Sequence, residues 1–397
     1  MHIKTSRKTG RRIIESKTLA DEIVAKELSR RQMVQAVMLG TVGTWLGASG
    51  LAGCTTKTVV SSGGAGSGSP AVDVDADAGG TTVAAQHLVG MGYDETDRNK
   101  ALEAALAETI GLGMIKAGQS VYLRVNSNSG DLYPYSTSPD TIIAIGGMLR
   151  DIGVTDIRVG DRSFWGDMNT AGNLTKNGIA GAAKKIGTTA VAYDDDVDWV
   201  TLPEGSTPSW VDTVRLPEPV MTADHQIILS CVKTHFISQF TMSLKIGLGL
   251  VHADDRMRDG NLKVHDTKVL YKQIAQINQA ITPSLVVMDG YEAVVSGGPT
   301  KNDRPPGAPS SFKGGITAEP KVFIVSTDRI AADVAGIAVL QTLSPDYEEI
   351  HETKPFENPQ IKAAIAAGDI GISDASAFDL SGPTVPELET YIAKITG

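Results

Sequence analysis

Short apolar runs alternate with segments of helical periodicity from residue 97 onwards. The runs are VYLRV (121–125), DIRVG (156–160), TAVAY (189–193), IILSCV (227–232), SLVVM (284–288) and KVFIV (321–325). Apolar positions recur at helical spacing in the segments 97–116, 140–152, 171–186, 265–280 and 329–342. Continuous apolar strands are typical of sheets buried on both faces, and their alternation with helices is typical of parallel sheets. The pattern therefore predicts an α/β fold whose mostly parallel sheet is covered by helices on both faces, as one domain or as two lobes.

The N-terminal segment follows a different pattern, in which paired arginines precede a weakly apolar run. Arg30 and Arg31 stand before the run 34–51, and Leu51 begins the sequence LAGC, whose last residue is Cys54. This order resembles a twin-arginine export signal joined to a bacterial lipoprotein cleavage site. An uncleaved membrane anchor and an ordinary buried helix are the alternatives. We expect the twin-arginine translocase and the lipoprotein-processing enzymes to remove residues 1–53 and lipidate Cys54, which would anchor the protein to a membrane of the cell envelope or periplasm.

Residues 54–84 are rich in Gly, Ser, Ala and Asp and contain few large apolar side chains. Such a segment cannot bury enough apolar surface to offset the entropy cost of ordering the chain. We therefore predict a flexible tether between the lipid and an α/β domain at residues 85–397.

Charge and cysteine content exclude two classes of function. The net charge is −10, although residues 1–53 contain nine Lys and Arg against four Asp and Glu, so the remainder is more acidic still. An acidic surface repels nucleic acid, and no nucleic-acid partner is expected. Cys54 and Cys231 are the two cysteines of the sequence, too few to ligate an iron–sulfur cluster within this chain. The sequence does not otherwise identify a cofactor.

Polar residues follow five of the predicted strands. In open α/β sheets, ligands bind beyond the carboxyl ends of the strands. Asp161 and Asp328 have a second interpretation as caps of the following helices, and the cap is the favoured one for Asp328. The residues at strand ends that we expect to bind a ligand are Arg124, Asn126, Asp161, Lys233 and Asp328.

Two lysines interrupt the apolar segment 227–256. Lys233 and Lys245 have mostly apolar neighbours, and a buried ammonium is costly unless it meets an anion or hydrogen-bond acceptors. They either neutralise internal carboxylates or hold a small anionic ligand, and the sequence leaves both open. Because Lys233 and His235 are two residues apart on an extended path, their side chains should point to the same side. We predict that Lys233, His235 and Lys245 line one pocket.

His235 is the candidate acid–base catalyst, with Asp289 as its partner or as a metal ligand. His235 and His252 could also be metal ligands or purely structural, and the sequence contains no HxH or HExxH spacing. No GxSxG motif indicates a serine hydrolase.

Five stretches of this sequence resemble the bacterial and archaeal family called domain of unknown function 362. They are LRVN (123–126), STSPDTIIAIGGMLRDIGVTDIRVGD (136–161), VKTHFISQFTMSLKIGLG (232–249), LVVMDGYEAVVSGGP (285–299) and STDRIAADVAG (326–336). The KTH followed by SLK is the most specific element. The resemblance implies no agreed reaction. Some relatives carry a ferredoxin-like module, whose cysteines are absent here.

The chain departs from the family pattern at two positions. It has Arg124-Val125-Asn126 where the family usually reads Lys-Pro-Asn, and Ile246 where an Asn usually follows the second lysine. Our first hypothesis is a lipid-anchored enzyme acting on a small anionic substrate or cofactor. The alternatives are a non-catalytic lipoprotein that binds an anionic solute, and a redox accessory protein that works with a separate iron–sulfur partner.

Overall fold

The computed structural model describes residues 86–163, 169–194, 197–258, 261–262, 264, 268–301 and 314–397. The predicted signal peptide (1–53) and tether (54–84), with Arg30, Arg31 and Cys54, lie outside these residues. Within the described part of the chain, no helix is both long and apolar enough to cross a membrane.

A ten-stranded sheet forms the centre of the described structure, accompanied by two pairs of short strands. Its main path runs β14-β1-β13-β11-β7-β2-β3-β4, while β8 and β12 pair with β7 and β11. In chain order the strands are β1 Val89–Tyr93, β2 Ser120–Arg124, β3 Asp156–Asp161, β4 Ala190–Ala192, β5 Trp199–Thr201, β6 Arg215–Pro217, β7 His225–His235, β8 Gln239–Phe240, β9 Met257–Arg258, β10 Asn261–Leu262, β11 Leu285–Ser296, β12 Ile316–Ala318, β13 Val322–Ser326 and β14 Leu380–Ser381.

Ten α-helices lie in the described residues. They are α1 Arg98–Ala107, α2 Pro139–Ile152, α3 Thr170–Lys176, α4 Ile179–Lys185, α5 Glu218–Met221, α6 Ala253–Arg256, α7 Leu270–Ala280, α8 Arg329–Leu343, α9 Pro359–Ala367 and α10 Leu388–Thr396. A 3₁₀ helix at Lys245–Leu250 follows β8 and is important for the site described below.

Helices pack on both faces of the sheet, as the apolar strands predicted. On one face, Ile142 and Leu149 of α2 belong to the same buried cluster as Leu123 and Val287 of β2 and β11. Side chains of a strand alternate between faces, so Met288 points to the other side, where it approaches Gly336 of α8. A Cβ on Gly336 would lie 2.4 Å from the Met242 sulfur and 3.0 Å from the Met288 sulfur, so a larger residue here would force these side chains to shift. The α/β fold with a mostly parallel, covered sheet is confirmed.

One predicted helix is wrong as a single element. The segment 171–186 folds as two short helices, α3 and α4, because Gly178 between them adopts a left-handed conformation with φ of 85°. A residue with this φ cannot continue a right-handed helix, and glycine adopts it without steric cost.

The strand β13 runs opposite to its neighbours in the sheet. It pairs antiparallel with both β1 and β11, with Ser326 opposite Val286 and Val322 opposite Gly290. The end of β13 therefore lies at the amino edge of the parallel strands, so the prediction that Asp328 joins the other strand-end residues is wrong. Instead, Asp328 caps α8 by accepting hydrogen bonds from the amides of Ala331 and Ile372, at 2.8 Å and 2.7 Å.

The strand β7 extends well beyond the carboxyl ends of its neighbours. Ile228 pairs with Arg124, the last residue of β2, yet β7 continues to His235. Beyond a register shift, Lys233 still pairs with Val294 of β11, which supports the extension. Lys233 and His235 therefore stand above the edge at which β2 and β3 end.

Candidate functional site

A cavity of about 50 Å³ lies at this carboxyl edge, between the extension of β7 and the 3₁₀ helix Lys245–Leu250. One water molecule requires roughly 10–15 Å³ measured in this way, so the cavity has room for a small group of atoms. We call it the cationic cavity after its charged lining. Its ionisable lining residues are Asp161, Arg162, Lys233, His235, Lys245 and Arg256.

The charges around the cationic cavity do not balance. Two lysines and two arginines line it, whereas Asp161 is the one carboxylate among the described lining residues, and Asp194 lies 3.5 Å from Arg162 outside the lining. Asn126 and Asn128 add amide groups, and the buried Asn128 Nδ2 has no hydrogen-bond partner among the residues that the structure describes. Since amide N–H groups, guanidinium and ammonium are all donors, the cavity is chemically suited to an anion.

Lys233 is fully buried, and its ammonium donates a hydrogen bond to the backbone carbonyl of Tyr135 at 2.6 Å. Burial disfavours the charged form and lowers the pKa of Lys233 to about 8. The described residues place no carboxylate within ion-pair distance of this ammonium. This favours the hypothesis of a ligand over that of an internal neutralising carboxylate.

Lys245 enters the cavity from the first residue of the 3₁₀ helix and is only 6% exposed. Burial lowers the pKa of Lys245 well below its ordinary value, and the nearby charge of Lys233 lowers it further. Among the described residues, no group hydrogen bonds its ammonium. The two lysines are thus brought to one cavity, where only Lys233 is held in place by a hydrogen bond.

The backbone that carries Lys245 is held by a carboxylate from the helix α8. Asp333 accepts hydrogen bonds from the amides of Ser243 and Leu244, at 2.7 Å and 3.0 Å. Asn278 donates to the Leu244 carbonyl at 2.8 Å and fixes the same turn from α7. Burial raises the pKa of Asp333 to about 7, although these hydrogen bonds oppose the increase.

Arg124 and Asp161 form a buried pair beneath the cavity, with Nη2 and Oδ1 3.8 Å apart. Arg124 also donates to the carbonyl of Ile246, while its buried Nε and Nη1 have no hydrogen-bond partners in the described part of the chain. Asp161 accepts a hydrogen bond from the Ser127 amide at 2.6 Å. A Cβ at Gly249 would lie 2.3 Å from Asp161 Oδ1, so the 3₁₀ helix approaches this pair only because residue 249 is glycine.

His235 lines the same cavity and is 4% exposed. Its Nδ1 accepts a hydrogen bond from the amide of Ile237 at 3.1 Å, which assigns the proton of the neutral ring to Nε2. In this tautomer Nε2–H can donate a hydrogen bond to a ligand, and Nε2 can act as a proton donor when the ring is also protonated at Nδ1.

Asp289 lies in a separate cluster, so the prediction that it pairs with His235 is wrong. Both oxygens of its carboxylate are occupied, by the hydroxyls of Tyr133 and Thr141 at 2.6 Å each, by the Tyr291 amide at 3.0 Å and by Arg98. We call Arg98, Tyr133, Thr141 and Asp289 the Asp289 cluster. It does not contribute to the lining of the cationic cavity.

The described residues do not support His235 or His252 as a metal ligand, because neither has enough further ligands nearby. His252 does not line the cavity, and its ring packs edge-on against Trp199 with 4.5 Å between centroids. Within the described residues, no group of three or more His, Cys, Asp or Glu side chains is arranged to hold a metal ion.

Sequence reasoning missed Arg162 and Arg256, the two arginines of the cavity. Arg256 is 1% exposed, and burial followed by the charge of Arg162 lowers its pKa. In the sequence, Arg256 follows two aspartates and has the pattern of an exposed ion pair. Arg162 follows Asp161 directly, and alternation along an extended strand would have placed the two on opposite sides. Neither position carried a signal distinct from an ordinary surface arginine.

The geometry defines a class of protein, an α/β protein with a small, buried, cation-lined cavity beyond the carboxyl edge of its sheet. A family model matches residues 121–338, and the chain belongs to that family, domain of unknown function (DUF362). The matched segment contains all the lining residues of the cavity, and the sequence-based identification of the family is confirmed. Comparison with curated proteins gives no match.

Proposed function

We propose that the protein binds a small anion in the cationic cavity and acts on it as an enzyme. The observation that carries the proposal is that Lys233 and Lys245 are buried at one cavity and have no carboxylate within ion-pair distance among the described residues. Burying an ammonium without an anion is costly, and a bound anion would offset that cost. A cavity of about 50 Å³ suits a group the size of phosphate, sulfate or a small carboxylate.

His235 is the proposed acid–base catalyst, because it is the histidine that lines the cavity and its Nε2 is the protonated nitrogen of the neutral ring. An acid–base group next to a bound anion can transfer a proton to or from the substrate. Arg124 and Asp161 are proposed to support the site from beneath, and Asn126 to contribute its amide from the rim.

Binding is tested with the full-length protein by thermal unfolding and calorimetry in phosphate, sulfate and small carboxylates. At least one of these anions should raise the melting temperature of the wild type and of Lys362→Met, an exposed control. The same anion should not change the melting temperature of Lys233→Met, because this variant lacks the buried charge that binds the anion. An equal increase in all three proteins would show that the anion binds elsewhere and would overturn the proposal.

Catalysis is tested with His235→Gln. The amide of glutamine is polar and similar in size to the imidazole, but it cannot exchange a proton. The variant should bind the anion identified above and lose turnover of substrates that contain it. Retention of full turnover by this variant would overturn the catalytic role of His235, and a wild type that binds the anion without any turnover would be a binding protein.

We also propose that the protein is exported by the twin-arginine route and anchored through lipid on Cys54. Support comes from the order of Arg30 and Arg31, the apolar run and the LAGC sequence. Replacement of both arginines by Lys should leave precursor in the cytoplasm, whereas Cys54→Ala should abolish labelling by radioactive palmitate. Normal export of the first variant, or unchanged labelling of the second, contradicts the corresponding part of this proposal.

A further inference from the structure

The two lysines of the cationic cavity differ in what holds them. The Lys233 ammonium is fixed by the Tyr135 carbonyl at 2.6 Å, whereas no described group hydrogen bonds Lys245. Lys245 lines the cavity, and the one carboxylate among the described lining residues, Asp161, is paired with Arg124 and bound by the Ser127 amide. The Lys245 amine is therefore presented to whatever enters the cavity.

We infer that Lys245 is a nucleophile that forms an imine with the carbonyl group of a small carboxylate-bearing aldehyde or ketone. This inference rests on the proposed anion site, since Lys233, Arg162 and Arg256 would hold the substrate carboxylate. A lysine becomes nucleophilic when burial or a neighbouring cation keeps it uncharged, and both conditions apply to Lys245.

The reaction balances without an oxidant or a metal. The uncharged Nζ of Lys245 attacks the carbonyl carbon, a C–N bond forms, and the carbonyl oxygen takes a proton from His235. The nitrogen then gives one of its two protons to His235, which leaves a carbinolamine. His235 passes this proton to the hydroxyl group, which leaves as water while a C=N bond forms, and the nitrogen returns its second proton to His235. The sum is one amine and one carbonyl converted into one imine and one water molecule.

The test is reductive trapping in the full-length protein with cyanoborohydride at pH 7. Two carbonyl probes are compared, glyoxylate, which carries a carboxylate, and formaldehyde, which does not. Labelled sites are quantified by peptide mass spectrometry at short times, with the exposed lysines Lys100 and Lys362 as internal controls. Each unit by which a lysine pKa falls increases the free-amine fraction about tenfold, so Lys245 should be labelled at least about tenfold faster than the controls.

The outcomes separate this inference from the proposed function. Early labelling of Lys245 by both probes, with glyoxylate the faster, supports both. Early labelling by formaldehyde with no preference for glyoxylate supports the nucleophile but contradicts the anion site. If neither probe labels Lys245 ahead of Lys100 and Lys362, or if Lys233 is labelled first, the inference is overturned even where anion binding is measured by calorimetry. The wild-type protein supplies the decisive result, so the test does not depend on the folding of a variant.

Discussion

The Asp289 cluster and the cationic cavity are both buried and charged, yet they are built on opposite principles. In the Asp289 cluster, one carboxylate meets one guanidinium and two hydroxyls, and both carboxylate oxygens are occupied. In the cationic cavity, Lys233 and Lys245 have no carboxylate within ion-pair distance in the described part of the chain, and the Asn128 Nδ2 has no hydrogen-bond partner there. A balanced cluster stabilises the fold by itself, whereas an unbalanced one is complete only with a ligand. The difference can be tested by removing a charge from each.

Asp289→Ala is expected to cause the largest loss of stability. This change leaves Arg98 among aromatic rings without its anion, and breaking a largely buried ion pair typically costs about 3–5 kcal/mol. Urea unfolding measures the loss. Asp379→Ala removes an exposed aspartate paired with His87 and should change stability by less than about 1 kcal/mol. Similar small losses in both variants would show that the Asp289 cluster is not a balanced structural pair.

Lys233→Met should lower the free energy of unfolding much less than Asp289→Ala does. It removes a buried ammonium that has no carboxylate partner within the described residues, and it retains most of the apolar stem. The loss of the hydrogen bond to the Tyr135 carbonyl should cost about 1 kcal/mol, partly offset because a charge no longer has to be buried. A loss of more than about 3 kcal/mol by urea unfolding would show instead that Lys233 neutralises an internal charge.

The pH dependence distinguishes the free and bound states of the cavity. The pKa of Lys233 is lowered from 10.5 to about 8 on folding, so the unfolded chain binds more protons between these values. Its contribution to stability is thus present above pH 10.5 and is lost as the pH falls through 8.

Anion binding needs the charged form of Lys233, so the affinity should weaken by up to about tenfold per pH unit above 8. Calorimetric titration from pH 7 to 10 should show this decrease, and a constant affinity would contradict it.

Asp333→Asn should change the free energy of unfolding less, because the variant retains an acceptor for the amides of Ser243 and Leu244. Burial raises the pKa of Asp333 from 3.8 to about 7, so the native state binds more protons within that range. The contribution of Asp333 to stability is therefore present below pH 3.8 and is lost as the pH rises through 7. The difference in unfolding free energy between wild type and variant should shrink or reverse across this window. A constant difference would mean that Asp333 titrates alike in both states.

Sequence reasoning predicted the sheet well because continuous burial leaves a strong apolar signal. The strands around Val121, Ile157 and Ile227 were located to within two residues at most ends, since each is buried on both faces. Strand direction leaves no such signal. The apolar residues of β13 fit a parallel and an antiparallel strand equally well, and Asp328 was consequently assigned to the wrong edge.

The candidate site was partly predictable for a similar physical reason. Lys233 and Lys245 stood out because a cation among apolar residues is improbable unless it has a partner. Arg256 did not stand out, because the two preceding aspartates suggested ordinary surface pairing. The partners of Asp289 come from three other elements, so local sequence could not show that its carboxylate is already occupied.

The cavity joins parts of the chain that are far apart in sequence. The bond between Lys233 and the Tyr135 carbonyl spans 98 residues, and the bond from Arg124 to the Ile246 carbonyl spans 122. Such contacts form only after the intervening loops have closed, so the cavity exists in the native state and not in partly folded chains. A ligand that binds here is therefore linked to complete folding. At 100 times its dissociation constant it would add about 2.7 kcal/mol to the free energy of unfolding. The lifetime of the folded protein would then depend on how much of that anion its surroundings supply.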